Sequence, residues 1–439
     1  MFMRIRDSIH TDQLPPSYYA ATCNDTADFP RLEGNIKVDV CVVGGGFTGV
    51  ATALHLAEAG YDVALVEQNK IGWGASGRNG GQIIGGYGQS MSDMAKINKS
   101  FGKKNVQAVL DMGVECVDII RDWVEKYAID CDLTWGYFDA AMKPSDMDYL
   151  LGAMDTMQKH GYPHEQRVIG QDEVKSIVGS DKYIGGVVNM GWGHAHVLNL
   201  VRGEARAAEK LGARIYEDAR VSSIDIQDDQ TIVNMDTCRV TANHVVLAGN
   251  AYLGHLVPKL ASRVIPAGSY IIATEPLSEE LADKIMPKRY AVCDQRWALD
   301  YFRMSADRRM LFGGLATYSG RHPSDIVAAV RPNMLKVFPE LESAEITHAW
   351  GGYMGIGLNR IPQLGRIAPK VYYAQAYSGH GVAPSHMSGR LIAEAIGGKT
   401  DRFDIMVGVK HPPFPGGRMF RQPILAVGMA YYRLKDAWG

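Results

Sequence analysis

The stretch VDVCVVGGGFTGVATALHLAEAGYDVALVE, residues 38–67, decides the fold of this chain. Residues 38–43 form an apolar, β-rich run that ends in the glycines of GGGFTG, and residues 50–59 have helical composition and spacing. Gly60 ends the helix, and residues 62–66 form a second apolar strand that is terminated by Glu67. The segment therefore predicts a βαβ unit of the Rossmann type.

The glycines of this unit are spaced for binding a dinucleotide. Gly44 permits a tight turn, Gly46 lets the backbone approach a pyrophosphate, and Gly49 lets the helix pack closely on the strand. The free N–H groups at the helix N-terminus stabilise the phosphate charge. A carboxylate at Glu67 can accept hydrogen bonds from both ribose hydroxyls and repels a 2′-phosphate, which disfavours NADP.

A second glycine-rich stretch, IGWGASGRNGGQ at residues 71–82, favours FAD over NAD. It contains too much glycine for an ordinary helix or strand, so it reads as an extended loop that passes close to a flat ligand. Ser76, Arg78 and Asn79 add hydrogen-bond donors towards phosphate or flavin. The alternative interpretation is a flexible surface loop.

Residues 38–67 and GASGRNGGQ, residues 74–82, resemble the D-amino-acid oxidase superfamily of flavoenzymes, which includes glycine and sarcosine oxidases. Within it, the chain most resembles the γ-glutamylputrescine oxidases of polyamine catabolism. Other matching stretches are residues 17–21, 193–200, 245–252, 350–352, 377–382 and 414–418. Two departures from the superfamily pattern stand out. Asn359 occupies a position where the superfamily usually has Asp. Sarcosine oxidases link their flavin to a cysteine in the C-terminal part, whereas the last cysteine here is Cys293, so the resemblance implies FAD bound without a covalent bond.

The predicted fold class is α/β, with a Rossmann-type FAD-binding domain and an inserted α+β substrate domain that contains a mixed or antiparallel sheet. Residues 82–183 are predicted to be largely helical, and alternating patterns at residues 263–274, 297–304 and 310–313 indicate the inserted sheet. The expected segments are 36–90, 190–262 and 345–400 for the FAD-binding domain, 91–189 and 263–344 for the substrate domain, and 1–35 and 401–439 for terminal extensions.

The residues expected to bind FAD lie on the two glycine-rich segments, at strand ends, and at a second loop-to-helix junction. There, a helix over residues 385–396 is expected to stabilise negative charge on the reduced flavin. The expected FAD-binding residues are Gly44, Gly46, Phe47, Thr48, Gly49, Glu67, Gln68, Ala75, Ser76, Arg78, Asn79, Gly80, Gly81, Gln82, Val221, Ala248, Gly249, Gly379, His380, Gly381 and Val382.

Flavin-dependent amine oxidation requires a neutral amine and a desolvating aromatic pocket more than it requires a strong base. The expected catalytic residues are Tyr301, Arg303, His380, His196 and Trp135, and the other candidates for the pocket wall are Tyr252, Tyr353 and Tyr377. Arg303 is expected to bind a substrate carboxylate with its guanidinium fork. For each of these residues, the alternative is a packing role in the core.

The expected function is FAD-dependent oxidation of an aliphatic amine, such as γ-glutamylputrescine, by hydride transfer to flavin N5, with hydrolysis of the imine to an aldehyde. One alternative is an oxidase or dehydrogenase of an amino acid or an N-methylated amino acid. Another is a flavin-bearing protein of electron transfer or RNA modification. The electron acceptor, O2 or a carrier, and the oligomeric state remain open.

Composition limits the other classes of function. A net charge of −2 argues against nucleic acid as a partner. Six scattered cysteines without zinc spacing indicate no metal site and a reducing, cytoplasmic location. No apolar run is long enough for a transmembrane span, although the apolar tail at residues 423–432 is a candidate for peripheral membrane contact or for capping the FAD-binding domain.

Overall fold

The computed structural model describes residues 13–87, 94–254, 256–296, 299–317 and 322–415 of the 439-residue chain. Its strands, numbered in chain order, are β1 (Ile36–Val43), β2 (Val63–Val66), β3 (Gln82–Ile83), β4 (Thr134–Ala141), β5 (Gln166–Ile169), β6 (Gly185–His194), β7 (Arg214–Tyr216), β8 (Val221–Ile226), β9 (Thr231–Met235), β10 (Arg239–Leu247), β11 (Ile265–Thr274), β12 (Ala291–Asp294), β13 (Tyr301–Met304), β14 (Met310–Thr317), β15 (Ile346–Ile356), β16 (Gln363–Ala368) and β17 (Val371–Gln375). Its α-helices are α1 (Tyr18–Ala21), α2 (Phe47–Glu58), α3 (Met94–Phe101), α4 (Val106–Lys126), α5 (Pro144–Lys159), α6 (Val197–Lys210), α7 (Pro258–Ala261), α8 (Glu279–Ile285), α9 (Ile326–Val337), α10 (Val382–Ile396) and α11 (Asp401–Val407).

The first sheet has the strand order β16-β17-β10-β1-β2-β7, and β17, β10, β1, β2 and β7 run parallel. Successive residues of β1 enter two cores: Val40 and Val42 pack with α2, α4, α6 and α10, whereas Cys41 and Val43 pack on the other face with residues of β9. Burial on both faces explains why residues 40–43 of β1 form a continuous apolar run. The predicted Rossmann-type βαβ unit is confirmed as β1, α2 and β2.

The second sheet has the strand order β15-β11-β14-β13-β12-β4-β6-β3, with β5 paired to β6. Its pairs are antiparallel except β12 with β4, so the sheet is mixed. One face packs on α8 and α9 through a core that includes Phe302, Phe312 and Phe338. The predicted α/β class with a second, mixed sheet is confirmed.

Several details differ from the sequence-based expectations. Residues 82–183 also contain strands β4 and β5, which the helical prediction missed although Trp, Tyr and Phe of β4 favour a strand. In the range predicted as a strand from 297, the described strand starts at Tyr301. Strands β6 and β15 pair within the second sheet, although the predicted boundaries give half of β6 and all of β15 to the FAD-binding domain. The division into domains stays a prediction.

Residues 416–439 lie outside the described residues, and so do the predicted tail contact at residues 423–432 and the end of the matching stretch 414–418. Of the N-terminal extension, α1 contributes the buried Tyr18 and Tyr19 to the core. In the ranges that the structure describes, no helix is long and apolar enough to cross a membrane.

Candidate active site

The turn between β1 and α2 is as tight as the glycine spacing predicts. Gly44 has a φ of +113°, and a Cβ atom there would lie 3.0 Å from the carbonyl carbon of Ala248, which directly follows β10. A Cβ atom at Gly49 would lie 1.8 Å from the carbonyl oxygen of Gly44, so only glycine lets α2 begin this close to the strand. Helix α2 starts at Phe47, whose N–H donates to Oγ of Ser76 at 2.9 Å.

The Glu67 carboxylate lies directly after β2 and is held by the backbone. Oε2 accepts a hydrogen bond from the Gly45 N–H at 2.6 Å, and Oε1 accepts one from the Asn69 N–H at 2.9 Å. Burial raises the pKa of Glu67, while these backbone donors oppose that rise. The carboxylate is therefore fixed beside the glycine turn, where a ribose bound to the dinucleotide fold would lie.

A continuous cavity of about 590 Å³ starts at this turn and extends to the second sheet. Most of the predicted FAD-binding residues line it: Gly44, Gly46, Phe47, Thr48, Glu67, Gln68, Ala75, Ser76, Arg78, Asn79, Gly80, Gln82, Val221, Ala248, Gly249, Gly379, His380, Gly381 and Val382. Gly49 and Gly81 do not, because Gly49 packs on the turn and Gly81 packs against Ala195 and Arg303. Gly45, Asn69 and Trp73 line the cavity and were missed, although Gly45 and Trp73 lie inside the two glycine-rich motifs and Asn69 lies between them.

The second glycine-rich loop is held in place by Arg78. Its guanidinium donates to the Tyr252 hydroxyl at 2.8 Å and to the carbonyl oxygens of Gly74 and Gly351, both at 3.2 Å. It also lies over the Trp73 ring at 4.6 Å. Arg78 therefore joins the loop to β15 while it lines the cavity, so the alternative of a detached surface loop does not describe this segment.

The junction at residues 379–382 supplies a second helix N-terminus to the cavity. Helix α10 begins at Val382 rather than at residue 385, with Gly381 as its N-cap. The imidazole Nε2 of His380 lies 3.0 Å from the carbonyl oxygen of Gly85, and burial lowers the pKa of this histidine. His380 is therefore neutral at physiological pH and donates to a backbone carbonyl.

A row of side chains crosses the second sheet beneath the cavity. Tyr301 pairs with Cys293, Cys293 pairs with Asp139, and Asp139 pairs with Val187, on four neighbouring strands. Side chains in register point to one face of a sheet, and these four residues line the cavity. Tyr301 lies nearest to the glycine loop, because a Cβ atom at Gly80 would be 2.5 Å from its ring.

Beyond Tyr301 the cavity continues into a part that we call the distal arm. Its walls are aromatic, amide and aliphatic side chains around a single carboxylate. The distal arm is lined by Tyr137, Asp139, Gln166, Val187, Asn189 and Trp192 and by Leu150, Met154 and Met157 of α5. Sequence reasoning missed this arm.

Of the predicted pocket residues, Tyr252, Tyr301, Tyr353 and Tyr377 line the cavity, whereas Trp135 does not. Trp135 and Tyr137 are two residues apart on β4, so regular alternation would place them on one face. A β-bulge between them, at Gly136 with a φ of +117°, breaks that alternation. The Trp135 ring instead packs on the Arg121 guanidinium at 4.2 Å.

His196 and Arg303 also lie outside the cavity lining. His196 is the N-cap of α6: its Nδ1 accepts from the Asn199 N–H at 3.1 Å, and burial lowers its pKa to about 4. Arg303 donates to the carbonyl oxygens of Gly80 and Ala195, each at 3.0 Å.

A third hydrogen bond of Arg303 goes to the Tyr19 hydroxyl, also at 3.0 Å. The expectation that Arg303 binds a substrate carboxylate therefore finds no support in the geometry, because its donors are turned to the protein. Asn359, the departure noted in the sequence, bonds the Lys410 carbonyl oxygen at 3.1 Å and does not line the cavity either.

Comparison with known proteins agrees with this arrangement. The family model described as FAD dependent oxidoreductase, DAO, matches residues 39–395. The chain belongs to this family. It is 43% identical over 424 residues to the Escherichia coli K12 protein named gamma-glutamylputrescine oxidoreductase, covering 96% of this chain and 98% of that one. It is 38% identical to a Haemophilus influenzae protein named probable oxidoreductase OrdL, covering 96% and 97%.

Among solved structures, the fold is similar to that of L-proline dehydrogenase from P. horikoshii, with a TM-score of 0.69, 24% identity, and coverage of 84% of this chain and 95% of that one. FAD is thus the cofactor of this family, and the residues of the cavity fit it. A helix N-terminus meets a glycine turn, and a fixed carboxylate lies at the strand end. The chain is an FAD-dependent oxidoreductase of the class that acts on amines and amino acids.

Proposed function

We propose that this enzyme oxidises the free primary amine of a γ-glutamylated polyamine, such as γ-glutamylputrescine, to an aldehyde and ammonia. The observation that supports this substrate is the distal arm, which extends the cavity beyond Tyr301 and contains the Asp139 carboxylate. Glycine or sarcosine is too small to occupy such an arm. A long aliphatic chain with a charged far end suits it, and the relative from Escherichia coli is named for such a compound.

Bound FAD supplies the two-electron acceptor for the hydride that leaves the carbon next to the amine. The chain's own residues align the substrate and keep water away. Tyr137, Trp192 and Tyr301 form apolar walls along which the aliphatic chain lies. This desolvation favours the neutral amine, the form that releases a hydride, and water then hydrolyses the imine.

Anaerobic reduction of the purified holoenzyme tests the proposal. The flavin absorbance is followed with γ-glutamylputrescine, putrescine, glycine, sarcosine and L-proline. We expect γ-glutamylputrescine to bleach the flavin fastest at low concentration. Bleaching by glycine, sarcosine or proline but not by γ-glutamylputrescine would move the function to amino-acid oxidation, and no bleaching by any amine would favour an electron-transfer role.

A further inference from the structure

The distal arm contains one carboxylate without a cationic partner. The side-chain amide of Gln295 donates to Oδ1 of Asp139 at 3.1 Å. Within the described part of the chain, Oδ2 accepts no hydrogen bond, and Asp139 forms no salt bridge. A carboxylate set this deep in the protein is costly unless a positive charge or further donors meet it.

The neighbouring carboxylates are different, because protein cations neutralise them. Asp294 lies 2.6 Å from the Arg296 guanidinium, which also contacts Asp300, and the Lys182 ammonium lies 3.7 Å from Asp300. The buried Tyr137 and the half-buried Cys293 beside Asp139 both have pKa values raised well above their ordinary ones, so both are neutral. Lys96 and Arg296 also line the cavity, but neither forms a salt bridge with Asp139, so among the described residues no cation pairs directly with this carboxylate.

The position of Asp139 decides which part of a substrate reaches it. Tyr301, under the glycine loop, and Asp139 are separated by one strand, β12, which places their backbones about 10 Å apart at ordinary strand spacing. A group at Asp139 is thus well removed from the loop residues that line the FAD end of the cavity. A cation there belongs to the far end of a long substrate.

We propose that Asp139, oriented by Gln295, binds a substrate ammonium group remote from the carbon that is oxidised. This inference rests on the proposed function and deepens it: in γ-glutamylputrescine the remote cation is the α-ammonium of the glutamyl group. Asp139 then determines specificity, since a chain without a far cation leaves the carboxylate unpaired.

The test compares two ligands that differ only in that cation, γ-glutamylputrescine and N-glutarylputrescine. Their apparent dissociation constants are taken from the concentration dependence of the rate of anaerobic flavin reduction. The proteins compared are the wild type, Asp139→Asn, and Asp130→Asn, an exposed carboxylate before β4 that receives the same change of charge. We expect the wild type and Asp130→Asn to prefer γ-glutamylputrescine by about 10- to 100-fold, the range for a hydrogen bond to a charged group. Asp139→Asn should lose that preference and bind N-glutarylputrescine unchanged.

If Asp139→Asn retains the preference for γ-glutamylputrescine over N-glutarylputrescine, the proposal is overturned. It is also overturned if Asp139→Asn binds both ligands equally more weakly than the wild type, because that result places the reactive amine at Asp139. FAD content and melting temperature report on folding, and Asp139→Ala, which only enlarges the cavity, is the second variant.

If wild-type flavin is not reduced by γ-glutamylputrescine, the proposed function fails by itself. Calorimetric binding of 1,9-diaminononane and of nonylamine then tests the ammonium site at Asp139. A wild-type preference for the diamine that is lost in Asp139→Asn supports the site. A preference that persists in Asp139→Asn, or a wild type without any preference, refutes the site.

Discussion

The Tyr377 hydroxyl lies 2.7 Å from Oγ1 of Thr48 and joins the first turn of α2 to the loop before α10. Both helices therefore begin at the cavity in a fixed relation to each other. Thr48 and Tyr377 are both buried, so the surrounding protein shields this contact from bulk solvent. This hydrogen bond, together with the contact between the Phe47 and His386 rings at 5.1 Å, couples the two helix N-termini that face the cavity.

Removing this hydrogen bond should lower stability while FAD stays bound. We expect Tyr377→Phe and Thr48→Val each to lower the free energy of unfolding by about 1–3 kcal/mol, the cost of leaving a buried partner unsatisfied. The double variant should lose less than the two single variants together, because one contact is lost in each case. Denaturant unfolding of all four proteins measures this coupling, and additive losses would show that the two hydroxyls act independently.

The close approach of the Gly46 backbone to the FAD pyrophosphate should be essential for cofactor retention. A Cβ atom there would lie 2.8 Å from Oγ of Ser76, which accepts the Phe47 N–H. Gly46→Val should therefore force the two glycine-rich segments apart and yield apoprotein. Gly152→Val is the matched control, since a Cβ atom at Gly152 meets nothing within 4 Å. Stoichiometric flavin absorbance in Gly46→Val would show that the phosphate site is misplaced.

FAD should leave the protein on acid precipitation. Cys293 lines the cavity, but burial raises the pKa of its thiol well above the ordinary value, so the nucleophilic thiolate is scarce. We expect chromatography of the supernatant to recover FAD, with a colourless pellet. Flavin that remains in the pellet of the wild type but not in that of Cys293→Ser would demonstrate a covalent bond at this residue.

Arg303→Ala should disturb the glycine loop rather than select between substrates. The guanidinium bonds the carbonyl oxygens of Gly80 and Ala195, so its loss leaves buried acceptors unsatisfied. We expect a lower melting temperature, weaker FAD retention, and similar losses of flavin-reduction rate with γ-glutamylputrescine and with putrescine. A large loss confined to γ-glutamylputrescine, with normal FAD content, would restore Arg303 to substrate recognition.

The cofactor end of the cavity could be predicted because each of its parts is carried by one continuous segment. Residues 38–67 contain the strand, the turn, the helix and the carboxylate together, and their chemistry is legible without tertiary contacts. The distal arm could not be predicted in this way. Its residues come from strands that are far apart in sequence, and Asp139 is aligned with Tyr301 only through the register of β12.

Two of the expected pocket residues lie outside the cavity lining for equally specific reasons. Trp135 was a candidate for the pocket wall because it is aromatic, but the bulge at Gly136 breaks the alternation of β4, and the Trp135 ring packs on Arg121 instead. Arg303 follows Tyr301 by two residues and so points to the cavity side of β13, but the Gly80 loop and Tyr19 cover it. Tyr19 covers Arg303 through a contact between residues that lie far apart in the sequence, so no local sequence pattern predicts it.

The titration of Asp139 should appear in the pH dependence of stability. Burial raises the pKa of this carboxyl to about 7 in the folded protein, from an ordinary value of 3.8. A group whose pKa is raised on folding contributes stability that is fully present below its unfolded pKa and is lost as the pH rises through its folded pKa. The ligand-free wild-type holoenzyme should therefore lose stability relative to Asp139→Asn between about pH 4 and pH 7, and the difference should then level off.

Melting temperatures of both proteins across this range measure the effect, and the groups shared by both proteins, such as Asp294 with Arg296, cancel in the comparison. Parallel curves would show that Asp139 titrates normally and that the distal arm does not desolvate it.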